Sequence, residues 1–159
     1  MNTPPRGRRV AIVDGCRTPF TKAGSTFADV SPIELGRVAV RELVERTDID
    51  PALVDAMIFG IVVPSIQAPN VAREVGLAAG LPPTVPAHTV SRACSSSNQA
   101  IVSGTENILL GQADIVVAGG VEVLSDVPML LSKRMRNTLL TAAKAKSMGA
   151  RAKALAGIR

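Results

Sequence analysis

The stretch from Ala87 to Gly120 constrains the fold more than any other part of this chain. An apolar run closes at Val90, and a polar turn then carries Cys94 followed by three serines. Helix-forming residues extend from about Ser95 to Leu110, and ADIVVA (113–118) makes a second apolar strand stopped by Gly119-Gly120. Strand, helix and strand in that order require a crossover, so parallel pairing and a right-handed connection are expected.

The same alternation runs upstream. RVAIVD (Arg9–Asp14) is β-branched enough for a short buried strand, and Gly15 to Val30 is loop. Ser31-Pro32-Ile33-Glu34 predicts a helix start with a capping box, Ser31 capping forward and Glu34 reaching back. Leu35, Val38, Ala39 and Leu43 then share one helical face. Asp50-Pro51 opens a short helix, AMIFGIVV (Ala56–Val63) reads as a buried strand, and Asn70 caps a helix that stops at Gly80. Strands alternating with helices give an α/β layered domain, expected here as a mixed sheet packed on helices. The helix after Cys94 is apolar almost all round, the pattern of a helix covered on several sides.

Charge divides the chain. Of 18 basic and 13 acidic residues, all the acids lie at or before Asp126, so the net +5 splits into −3 up to that point and +8 beyond it. The expected organisation is a flexible arm over 1–8, an α/β body over 9–126 and a basic helical segment over 127–159. In that segment Leu131, Met135, Leu139, Ala142 and Ala145 share one face and Lys133, Asn137, Lys144 and Arg151 another. Such a segment reads either as a solvated helix packed on the body or as a surface for a phosphate-bearing substrate or anionic lipid. Three phenylalanines with no Trp or Tyr argue against a base-stacking surface, so no nucleic-acid partner is expected. Two cysteines imply no disulfide framework, and no apolar run reaches the length of a signal or a membrane span, so a cytoplasmic location is expected.

Cys94 is the candidate catalytic residue. A helix N-terminus just behind a sulfur offers unpaired N–H groups and the positive end of the dipole, both of which favour a nucleophilic thiolate. A nucleophile also needs a base and oxyanion donors. The only histidine, His88, lies six residues before Cys94, roughly 20 Å in an extended chain at about 3.3 Å per residue, and does not reach it along one strand. Cys16 lies in a loop with nothing nearby to activate it. Two cysteines and one histidine make no metal cluster, and neither a P-loop nor a GxGxxG pattern is present.

VSRACSSSNQAI resembles the acyl-cysteine signature of thiolases, and RVAIVDGCRTPF, NVAREVGLAAGL and ADIVVAGGVEVLSDVP follow that family's order. The last of these and KRMRNTLLTAAKAKSMGAR are most similar to the 3-ketoacyl-CoA thiolases of the trifunctional-complex beta-subunit type. The resemblance implies an acyltransferase of fatty-acid β-oxidation on a layered α/β fold. In that family Cys94 would be acylated by a 3-ketoacyl-CoA at an oxyanion hole that includes its own N–H. Coenzyme A would be co-substrate, with no permanently bound cofactor and no metal. A homodimer or tetramer, and a hydratase/dehydrogenase subunit, are the implied partners. The family's Gly-His-Pro, Asn-Glu-Ala-Phe and Cys-x-Gly motifs are absent from these 159 residues, so the chain is expected to be the first half of such an enzyme and inactive alone. A ketoacyl-synthase-like condensing enzyme and a non-catalytic docking fragment are the alternatives.

Overall fold

A computed structural model describes residues 7–66 and 68–156. Most of the expected N-terminal arm therefore lies outside the described residues. The chain divides into two compact units, Met1–Val127 and Pro128–Arg159.

The first unit holds α1 (Pro32–Thr47), a single 3-10 turn (Pro51–Leu53), β1 (Ala56–Gly60), α2 (Val71–Ala79), β2 (Ala87–Val90), α3 (Ser96–Leu109) and β3 (Val116–Gly120). The strands form one sheet in the order β2-β1-β3, and β1 pairs in parallel with both neighbours. The α/β class stands, but pairing among the described strands is parallel rather than mixed, because helices carry the chain between them. β2 and β3 are parallel as expected, yet not adjacent: β1 lies between them.

The chain steps outward from β1 to β2 and then back across β1 to β3. That reversal puts the two crossover helices on opposite faces. Met57, Phe59 and Ile61 point to the α1–α2 side, where they join Val40, Val71, Val75, Leu81 and Val85 in the apolar core. Gly60, Val116 and Ala118 point to α3. Close approach on the first face depends on Gly36, where a Cβ would stand 3.1 Å from Val75 Cγ1. The buried stripe of α1 is accordingly Gly36 and Val40, with Ile33, Leu43 and Val44 beside them, and Val38 is exposed.

Ser31 caps α1 as predicted, its Oγ accepting from Glu34 N–H at 3.2 Å. The Glu34 carboxylate does not close the box; it pairs with Arg37 one turn on, accepting from Nε at 2.8 Å. Asn70 caps α2, and Gly80 ends it at φ 97°, a conformation glycine adopts freely.

Arg9–Asp14 is not a strand. Arg8 anchors this segment, its guanidinium donating to the Ile108 and Ala113 carbonyls at 2.8 and 3.1 Å and pairing with Asp114. The residues that follow join no ladder, and Ile12 and Val13 are 83% and 87% exposed. β-branched composition makes a segment fit for a sheet, but a strand exists only where an edge takes it up. α3 also departs from expectation: it buries a small-residue stripe, Ser96, Ala100 and Gly104, while Ile101 and Val102 stay exposed.

The second unit is two helices where one basic helical segment was expected, α4 (Lys133–Lys144) and α5 (Met148–Leu155), capped by the Ser132 and Ser147 side chains. Among its described residues Ala142 is the buried one, and Met129 and Leu130 are almost fully exposed.

Candidate active site

The C-terminal ends of parallel strands, at the point where the strand order reverses, are where open α/β sheets bind ligands. Here that point falls between β1 and β3, and α3 starts directly over it. Two glycines make this possible. A Cβ on Gly60 would stand 2.6 Å from the Ser97 nitrogen, and one on Gly120 would collide with Ser97 Oγ and lie 2.8 Å from the Gly60 carbonyl oxygen. The bare ends of both strands let the first turn of α3 settle onto the sheet.

The link between β2 and α3 is correspondingly tight. Ser95 and Ser96 donate their N–H groups back to the Arg92 and Ala93 carbonyls at 3.0 and 3.1 Å. Ala93 takes a left-handed φ of 45°, uncommon for a residue with a Cβ. Cys94 follows it and is exposed. Ser95, the N-cap residue, makes no side-chain capping bond, so it leaves the first-turn N–H groups of α3 to other acceptors.

Cys94 opens onto a cleft of about 730 Å³. Its walls include Phe59 of β1, Ala39 of α1, Phe27 and Cys16 of the loop before α1, and Glu122 just beyond β3. Cys16 thus shares the cleft with Cys94, which its sequence surroundings did not suggest. The two thiols differ in setting. Cys16 donates to the Ala39 carbonyl at 3.0 Å, and burial pushes its thiol up against the opposing pull of Arg46. It is a held hydrogen-bond donor. Glu122 was visible in sequence only as part of GGVE. Its Oε2 accepts the N–H groups of Val62 and Val63 at 2.8 and 3.3 Å, tying the loop after β1 to the end of β3.

His88 stands in β2 opposite Ile58, is exposed and does not line the cleft. The structure does not bring it together with Cys94. Among the described residues no group of three or more His, Cys, Asp or Glu side chains is placed to hold a metal ion, and no helix is long and apolar enough to cross a membrane.

The arrangement is a thiol at a strand-to-helix turn, over a sheet's switch point, facing a roomy cleft. A model of the thiolase N-terminal domain matches residues 10–157 of this chain. The chain belongs to the thiolase family. Among thiolase relatives, the human mitochondrial trifunctional enzyme subunit beta is 48% identical over 147 residues, which are 92% of this chain and 31% of that protein. A 3-ketoacyl-CoA thiolase of Aeromonas salmonicida is 42% identical over 154 residues, 97% of this chain and 35% of its own length. The crystal structure of the Bacillus anthracis acetyl-CoA acetyltransferase superposes with a TM-score of 0.67 at 41% identity, over 69% of this chain and 28% of that one. This thiolase chain therefore spans about a third of the length of the curated relatives it matches.

Proposed function

We propose that this chain supplies the nucleophile-bearing N-terminal portion of a 3-ketoacyl-CoA thiolase of fatty-acid β-oxidation, with Cys94 as the residue that carries the acyl group. The observation that carries the reading is the setting of Cys94: exposed at the head of α3, on the cleft, while Cys16 is held as a donor. The names of the relatives support the substrate class, and the thiolase match favours thiolysis over the condensing alternative.

The chemistry assigns each atom a place. The Cys94 thiolate adds to the C3 carbonyl carbon of a 3-ketoacyl-CoA, and the oxyanion that forms is met by N–H groups at the start of α3. The C2–C3 bond then breaks and its electron pair goes to C2, which takes up a proton and leaves as acetyl-CoA. The acyl group remains on sulfur as a thioester. A second CoA thiolate attacks that carbonyl, releasing the shortened acyl-CoA and returning the Cys94 thiolate. Coenzyme A is thus a co-substrate. None of these proton transfers is assigned to His88, which stands away from the cleft.

A simple acyl-CoA tests the first step alone, since thioester exchange onto Cys94 liberates CoA. The expected result is one CoA released per chain and none from Cys94→Ala. Equal release from both would overturn the reading.

The unit over 128–159 favours a second, compatible role. It has eight Lys and Arg, no acid, and exposed Met129 and Leu130. We infer that it contacts phosphate-bearing groups, either those of CoA or an anionic membrane surface. Sedimentation with anionic vesicles, with and without residues 128–159, separates the two: binding lost on removal supports the membrane, and no difference leaves the CoA phosphates. The thiolase reading also carries a homodimer or tetramer and a hydratase/dehydrogenase subunit as proposed partners.

A further inference from the structure

We propose that Ser96 is the positioning residue of the Cys94 turn, its buried hydroxyl locking Ala93 in the left-handed conformation that presents the thiol. The proposal rests on the reading of Cys94 as nucleophile and concerns how that nucleophile is aimed.

Three observations converge on Ser96. It is the buried polar residue of the described chain, only 4% exposed, at a turn whose other members from Ser91 to Ser95 are all exposed. Its Oγ works in both directions, accepting the Arg92 N–H at 2.8 Å and donating to the Ala93 carbonyl at 2.7 Å. Its own N–H donates to the same carbonyl at 3.1 Å. One residue therefore grips the backbone on both sides of Ala93, and Cys94 sits inside the loop so closed.

The grip has something to hold. A φ of 45° brings the Ala93 Cβ towards neighbouring backbone, and an L-residue keeps it only where the surroundings enforce it. Ser96 in turn is fixed from below, because Gly60 leaves no space between the β1 end and the Ser96 backbone. The line of constraint runs from the sheet through Ser96 to Ala93 and ends at the sulfur. Ser96 does not itself touch the reacting atoms. Arg92 contributes on the outer side, where its Nη1 donates to Gln99 Oε1 at 2.8 Å and braces the turn against α3.

Competition between the two cysteines of one chain tests this, with Cys16 as internal reference and iodoacetamide as probe. In Ser96→Ala the turn relaxes, and Cys94 alkylation relative to Cys16 falls about fivefold, the loss of one to two net hydrogen bonds. Adding Ala93→Gly brings the rate back to within about twofold of the parent, since glycine takes the left-handed φ without strain. Ser96→Ala reacting at the parent rate overturns the proposal, as does a slow Ser96→Ala that Ala93→Gly fails to recover. A merely structural serine would not be rescued at residue 93. Ala93→Gly alone does not depend on Ser96→Ala folding. It keeps the parent Cys94 rate and does not lower the melting temperature; a lowered melting temperature would mean Ala93 carries no strain to lock, and overturns the proposal. If Cys94 of the parent reacts no faster than Cys16, the nucleophile reading itself fails, which the parent measurement shows before any variant is made.

Discussion

Gly60 and Ser96 meet with no room for a side chain on the glycine: its Cβ would lie 2.7 Å from Ser96 Cβ and 2.6 Å from the Ser97 nitrogen. Both atoms are backbone or attached directly to it, and neither yields as a flexible side chain would. Gly60→Ala is therefore expected to lose about 2–3 kcal/mol of stability and to lift α3 from the sheet. Gly149 of α5 is the contrast, with nothing within 4 Å of its Cβ, and Gly149→Ala should gain a few tenths to about 1 kcal/mol. Urea unfolding of the two variants beside the parent measures both.

Glu122 is expected to matter through its oxygens rather than its charge. Glu122→Gln keeps an acceptor for Val62 and Val63 N–H and should stay within about 0.5 kcal/mol of the parent, whereas Glu122→Ala frees both donors and should cost about 1 kcal/mol. Amide exchange at Val62 and Val63 reads the same contact directly, protected in Gln and fast in Ala.

Asp55 makes stability depend on acid. The N–H groups of Asp114 and Ile115, at 2.7 and 3.0 Å, hold its carboxyl below the ordinary value. A carboxyl depressed in the folded state contributes stability above its unfolded pKa and loses it as pH falls through the folded one. The parent should thus lose melting temperature below about pH 4 more steeply than Asp55→Asn, whose amide does not titrate. Melting curves between neutral and acid pH give the difference in slope.

Asn70 joins three partners with one side chain. Its Oδ1 accepts Arg73 N–H at 3.3 Å and the Thr89 hydroxyl at 2.9 Å, and its Nδ2 donates to the Ala87 carbonyl at 3.0 Å. Asn70→Ala should cost about 2 kcal/mol as cap and crosslink go together. Asn70→Asp keeps the cap but not the donor to Ala87, so its denaturation midpoint should fall between the other two.

Local signals carried much of this fold. The caps at Ser31, Asn70 and Gly80 and the strand–turn–helix around Cys94 are patterns of a few adjacent residues, and each forms where the sequence places it. What depends on distant partners was not legible. Arg9–Asp14 has a strand's composition, but no local pattern says whether an edge will take it up. Gly60 reads as the middle of a strand over Ala56–Val63 and Gly120 as a strand stop, while in the fold β1 ends at Gly60 and both are the points where α3 comes down. Cys16 and Glu122 reach the cleft through long-range packing, and only the GGVE sequence hinted at the second.

The most direct measurement is peptide mapping by mass spectrometry after brief exposure of the 159-residue chain to an acyl-CoA. Cys94 as the acyl carrier predicts a hydroxylamine-sensitive thioester on the peptide carrying Cys94, no adduct on the peptide carrying Cys16, and none anywhere in Cys94→Ala. Acyl groups spread equally over both cysteines, or absent from Cys94, would contradict it.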